Sequence, residues 1–72
     1  MNDGPIKDPS TLGARIRSRR KELGLTQGEV ADVSGVTLRF VSELERGKAT
    51  AQLAGIQRVL ASLGLDLYLE PR

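Results

Sequence analysis

The sequence contains no cysteine and no histidine. The first absence removes disulfides and thiolate ligands. The second removes the commonest metal ligand and the side chain that titrates near neutrality. A zinc finger, a Ser–His triad and a cysteine nucleophile are excluded together. Aromatic residues are nearly absent: Phe40 and Tyr68 are the only two, too few for a surface that grips single strands by stacking on bases. No apolar run approaches the ~18 residues of a membrane span. The start, MNDGPIKDPS, has no apolar stretch behind basic residues, as a secretory signal would. A soluble cytoplasmic protein without metal, cofactor or membrane contact is expected. With no Gly-rich phosphate loop and no clustered inward carboxylates, an enzyme is not.

Length is also in short supply. Seventy-two residues make one domain, and a core of that size seldom supplies more than ~3–5 kcal/mol. Without disulfides or a metal, a second copy of the chain is the remaining reinforcement.

Charge is balanced, with 11 Lys and Arg against 9 Asp and Glu for a net +2. Its distribution is less even. Arg15, Arg17, Arg19, Arg20 and Lys21 crowd one stretch, and Arg46 and Lys48 follow later. The cluster reads either as a solvated helix face or as part of an anion-binding surface.

Hydrophobic periodicity divides the chain. Residues 1–7 show none and read as a mobile arm. Asp8-Pro9 opens a helix, with Asp as cap and Pro at the first position. Its apolar stripe is Leu12, Ile16 and Leu23, with a stop at Gly24. Arg20 falls on that stripe, and a buried arginine needs a carboxylate partner. Thr26 opens a second helix with a Glu three residues on, the capping-box pattern; Val30, Ala31 and Val33 are its apolar residues. Gly35 ends it. Thr37 starts a third, carrying Phe40, Val41 and Leu44 and closed by Gly47. A fourth spans about residues 51–63, with Leu53, Ile56, Val59, Leu60 and Leu63. After Gly64 the period changes to strict alternation, Leu65-Asp66-Leu67-Tyr68-Leu69-Glu70, a strand signature over 65–70. A lone strand has no ladder partner in its own chain. Either it pairs with its twofold mate, placing Leu65, Leu67, Tyr68 and Leu69 in a dimer interface, or the segment is a helical or disordered tail.

The segment TQGEVADVSGVTLRFVSELERGK, Thr26 to Lys48, holds two short helices joined by a Gly-containing turn. It fits an ordinary helical hairpin. It also fits a helix-turn-helix, over about residues 26–46, whose second helix enters the DNA major groove. Gln27, Ala31, Gly35, Val41, Leu44-Glu45 and Gly47 at these intervals resemble the Xre/Cro-type helix-turn-helix of lambdoid phage repressors. With LGLTQGEVA, SGVTLRFVSELERGK and the ending VLASLGLDLYLEPR, the run from Pro9 to Leu69 is similar to the HipB-like antitoxins of bacterial toxin–antitoxin operons. One departure is a polar Ser34 where many members are apolar, beside an apolar Val33 where polar is usual; a slightly rotated second helix would accommodate it.

The resemblance implies an all-α, lambda-repressor-like bundle of four helices, or five, within residues 8–64, with one C-terminal β-strand pairing across a dimer. It places Thr37, Leu38, Arg39, Ser42 and Glu43 towards base edges. In chemical terms Arg39 suits guanine, Leu38 a thymine methyl, and Glu43 a cytosine amine or solvent; phosphate contact is the rival role for Arg39. It assigns phosphate contacts to Arg20, Thr26, Gln27, Arg46 and Lys48, with Arg19 as a further candidate. It pairs Arg20 with Glu45, a partly buried ion pair that orients Arg20 towards a phosphate. The function implied is a sequence-specific repressor, bound as a homodimer to a palindromic operator. As antitoxin of a HipBA-like operon it would autoregulate that operon and neutralise a HipA-like kinase toxin. The alternatives are a stand-alone Xre-type regulator without a toxin, and a protein-interaction module that has lost DNA binding.

Overall fold

A computed structural model describes residues 5–48 and 50–71. Most of the expected arm, residues 1–4, lies outside the described residues, and residues 5–7 have no regular secondary structure. Four helices follow: α1 (Pro9–Glu22), α2 (Gln27–Ser34), α3 (Leu38–Glu45) and α4 (Leu53–Ser62). No strand and no fifth helix occur among the described residues.

Three of the four helix starts are capped by side chains the sequence points to. Asp8 accepts a hydrogen bond from the Thr11 amide at 2.7 Å, and that bond holds its carboxyl below the ordinary aspartate value. Thr26 accepts from the Glu29 amide at 3.1 Å, while the Glu29 carboxylate accepts from the Thr26 amide at 2.8 Å. This reciprocal arrangement satisfies two amides that a helix start leaves without partners. Thr37 accepts from the Phe40 amide at 3.0 Å, so it caps α3 from just outside.

The core is built from Ile16, Val30, Ala31, Val41, Leu44, Val59, Leu60 and Leu63, all buried. Helix α1 packs on α3, and α2 packs on both α3 and α4. Leu12, Leu25, Val36, Phe40 and Ile56 close its margins. Two apolar residues expected inside are outside. Leu23 caps the C-terminus of α1 and is 42% exposed, and Leu25 in the following loop packs in its stead. Val33 is 75% exposed, while Ser34 is buried. Helix α2 is therefore not rotated to bury Val33. Ser34 tolerates burial because its hydroxyl donates to Ser62 Oγ at 3.0 Å, and the Ser62 hydroxyl donates to the Val59 carbonyl at 2.7 Å. A buried hydroxyl with a partner avoids most of the desolvation cost.

The sequence pattern did not single out Gly13. It sits in the middle of α1 against the backbone of α3, where a Cβ would meet the Leu44 carbonyl oxygen and lie 2.7 Å from that of Glu45. Glycine there sets how closely α1 approaches α3.

After α4 the chain turns at Gly64, and the Leu65 amide donates to the Leu60 carbonyl at 2.9 Å. Leu65 then reaches the core margin. Leu67, Tyr68 and Leu69 are 46%, 75% and 93% exposed. The alternating segment thus forms no strand within its own chain. A ladder there needs backbone partners from outside.

Candidate nucleic-acid interface

The turn between α2 and α3 depends on Gly35. Its φ is +70°, a left-handed conformation that a side chain would penalise. The Val36 amide then donates to the Ala31 carbonyl at 3.1 Å and closes the end of α2. From this turn α3 runs across the body with Val41, Leu44 and Glu45 inward. Its other side faces solvent: Thr37, Leu38 and Arg39 are exposed, and Ser42 and Glu43 are half-buried. All five residues expected to read bases thus lie on α3 or at its N-cap, outside its buried face.

A buried polar cluster fixes α3 against α1 and α2. Arg20 Nε donates to Glu45 Oε2 at 2.6 Å, and Nη2 donates to Glu45 Oε1 at 3.0 Å. Its Nη1 donates to the Leu25 carbonyl at 2.8 Å. Gln27 Nε2 adds a donor to Glu45 Oε1 at 3.0 Å. One carboxylate thereby ties together the end of α1, the start of α2 and the end of α3. Burial pushes the Glu45 carboxyl up. The hydrogen bonds from Arg20 and Gln27, with the charges of Arg20 and Arg17, outweigh this and leave it below the ordinary glutamate value. The Arg20–Glu45 pair stands as expected.

Three of the five N–H groups of the Arg20 guanidinium are thus engaged inside the molecule, which leaves one on each Nη. The side chain is only 10% exposed, and each guanidinium nitrogen donates inside the molecule. Arg19 Nε donates to the Leu63 carbonyl at 3.0 Å, capping the end of α4, and Nη1 pairs with Glu22 at 3.3 Å. The sequence missed Arg17. It is exposed, lies one turn before Arg20, and is near enough to Glu45 to lower that carboxyl. The signal was the i, i+3 relation between the two arginines, which puts them on one face.

Gln27 begins α2, whose first-turn amides make a positive helix end. Its side-chain amide is already engaged by Glu45. Thr26 is exposed, with its hydroxyl and amide both in the capping box. Arg46, the C-cap of α3, is exposed. Lys48 follows the Gly47 turn and pairs with Glu43, as does Arg39: Lys48 Nζ to Glu43 Oε2 is 3.0 Å, and Arg39 Nε to the same oxygen is 3.1 Å. These two bonds hold the Glu43 carboxyl below its ordinary value. The described residues contain no group of acids able to hold a metal ion. None of the described helices is long and apolar enough to cross a membrane.

Comparison with known proteins agrees with this geometry. A helix-turn-helix family model matches residues 16–69. An uncharacterised HTH-type transcriptional regulator of Sinorhizobium fredii, y4mF, is 48% identical over 62 residues, covering 86% of this chain and 82% of its own. Among solved structures, a chain of the HipA–HipB–O2–O3 complex superposes with a TM-score of 0.87 at 26% identity, covering 94% of this chain and 96% of that one. The restriction-modification controller protein C.AhdI from Aeromonas hydrophila gives 0.74 at 29% identity, covering 81% and 88%. With a family model spanning both helices of the motif and a close relative over most of its length, the chain belongs to the Xre-type helix-turn-helix family of transcriptional regulators.

Proposed function

We propose that the protein is a sequence-specific DNA-binding repressor acting as a homodimer in the cytoplasm. The supporting observation is the outward face of α3, Thr37 to Glu43, held rigid from behind by the Arg20–Glu45–Gln27 cluster. Thr37, Leu38, Arg39 and Ser42 present the donors, acceptors and apolar surface that distinguish base pairs in a major groove. Around them the start of α2 with Thr26 and Gln27, then Arg46, Lys48 and Arg17, supply phosphate contacts that give affinity without sequence information. Arg20 serves this surface indirectly, by orienting Gln27 through Glu45.

Two such helices ~34 Å apart would read a palindromic operator on one side of the duplex. The Leu65–Glu70 segment supports this arrangement. Its exposed Leu67, Tyr68 and Leu69 and its free backbone edge suit pairing with the same segment of a second copy. Leu53, at the start of α4, is a further exposed apolar residue.

We further propose that the dimer is the antitoxin of a HipBA-like operon, repressing that operon and neutralising a HipA-like kinase. The likeness to a HipB chain over nearly the whole length supports this reading. The likeness to a restriction-modification controller favours the alternative, a regulator with no toxin partner. A kinase-like reading frame beside the gene separates the two. DNase footprinting on the DNA upstream of the protein's own gene tests the DNA-binding reading. A protected palindrome that Arg39→Ala abolishes is the expected result. No protection at any promoter-proximal site would overturn it.

A further inference from the structure

Glu43 is an odd residue to find on a surface meant for a polyanion. It lies on the recognition helix one turn after Arg39, and a bare carboxylate there would repel the duplex. It is not bare. A single oxygen, Oε2, accepts from Arg39 Nε at 3.1 Å and from Lys48 Nζ at 3.0 Å.

The Lys48 end of this chain is built into the backbone. After α3 the Gly47 amide donates to the Leu44 carbonyl at 3.0 Å, and the Lys48 amide to the Glu43 carbonyl at 3.0 Å. This pair of bonds is the Schellman closure, with Gly47 at φ +82° in the left-handed position. It anchors the Lys48 backbone at the Glu43 carbonyl. The Lys48 side chain then returns to the carboxylate of the same residue. Glu43 is consequently only 22% exposed in its side chain, against 82% for Arg39.

The Arg39 end has a direction. Its guanidinium is bonded to Glu43 through Nε, and its side chain is 82% exposed. Nη1 and Nη2 form the edge that pairs bidentately with guanine O6 and N7. A long side chain fixed at Nε also loses less rotamer freedom on binding.

We propose that Glu43 is not a base reader but a positioning residue, which together with Lys48 holds Arg39 with its Nη edge forward to select guanine. The inference rests on the DNA-binding reading above and names the base for one of its contacts. It reassigns Glu43 from cytosine reading. It also gives Lys48 a part in specificity beside any phosphate contact.

The test is selection from a randomised duplex library by wild type, Arg39→Ala, Glu43→Ala and Glu43→Gln, with base preference and affinity for unselected DNA measured separately. Wild type is expected to prefer guanine at one position of each half-site on the order of tenfold. Arg39→Ala and Glu43→Ala should both lose that same preference. Glu43→Ala should nevertheless hold unselected DNA at least as tightly as wild type, because a negative charge has gone. Glu43→Gln, which keeps an acceptor oxygen for Nε, should retain part of the preference. A merely structural residue would not produce that split. If wild type selects a motif and Glu43→Ala keeps the guanine preference, or loses a different base from Arg39→Ala, the positioning role is overturned while DNA binding stands. If wild type selects nothing, both fall.

Discussion

Replacing Glu45 with alanine removes the one carboxylate that joins α1, α2 and α3. Its side chain is 2% exposed and that of Arg20 is 10% exposed. Breaking one side of a buried ion pair costs ~3–5 kcal/mol, because the other charge stays buried without its partner. Here the lower end applies. Arg20 keeps its bond to the Leu25 carbonyl, and its side chain is not wholly buried. About 3 kcal/mol is therefore expected, with the stranded Gln27 amide included. In a domain of this length ~1 kcal/mol moves the melting temperature by roughly 4–8 °C. Glu45→Ala should thus melt ~12–24 °C below wild type, by circular dichroism with both proteins at one concentration. Glu43→Ala, whose partners are exposed, should melt close to wild type. The pH response supplies a second reading. The Glu45 carboxyl lies below its ordinary value in the folded state. Its contribution is therefore complete above the unfolded glutamate pKa of ~4.3 and is lost as pH falls through the lower folded value. Glu45→Gln should flatten that acid arm. Equal melting of Glu45→Ala and Glu43→Ala would refute the reasoning.

Gly13→Ala sets two effects against each other. Helix propensity alone favours alanine by ~0.8–1 kcal/mol, whereas overpacking against the α3 carbonyls costs ~1–3 kcal/mol; a lower urea midpoint is expected, and a raised one would show that α1 can move aside. Ending the chain after Gly64 should abolish dimerisation in sedimentation and operator binding together, with helicity retained; a tight dimer from that truncation would remove the strand from the interface. If roughly four to six phosphates are contacted per protomer, operator affinity should fall ~10³-fold or more between about 50 and 200 mM salt. A flat salt titration would remove the electrostatic part of the interface.

Three of the four helices were legible because their starts carry their own chemical mark. Asp8-Pro9, Thr26 with Glu29, and Thr37 act through bonds to amides three residues ahead, so local sequence suffices to place them. Ile16, Val30, Val41, Leu44 and Leu60 declared themselves by spacing. What sequence could not reveal was which polar residues meet across helices. Ser34 looked misplaced until Ser62 supplied a partner from α4. Arg20 was recognised as needing a carboxylate, but the bond of its Nη1 to the Leu25 carbonyl, which also fixes its direction, was not foreseeable from the sequence. Arg17 and Arg19 are equivalent in a list of basic residues. Only the fold brings the Leu63 carbonyl to Arg19, which caps it, and leaves Arg17 near Glu45. Gly13 gave no signal, since a close backbone approach is a property of two helices together. The alternating Leu65–Glu70 pattern carried the period of a strand, but no strand forms there.

The central claim is that the outer side of α3 is the surface that meets DNA. Titrating the isotope-labelled protein with duplex from upstream of its own gene, and following backbone amide resonances, tests it most directly. Shifts concentrated at the start of α2 and from Thr37 to Lys48, weakened by Arg39→Ala, are the predicted result. Shifts confined to α4 and Leu65–Leu69, with α3 undisturbed, would contradict it.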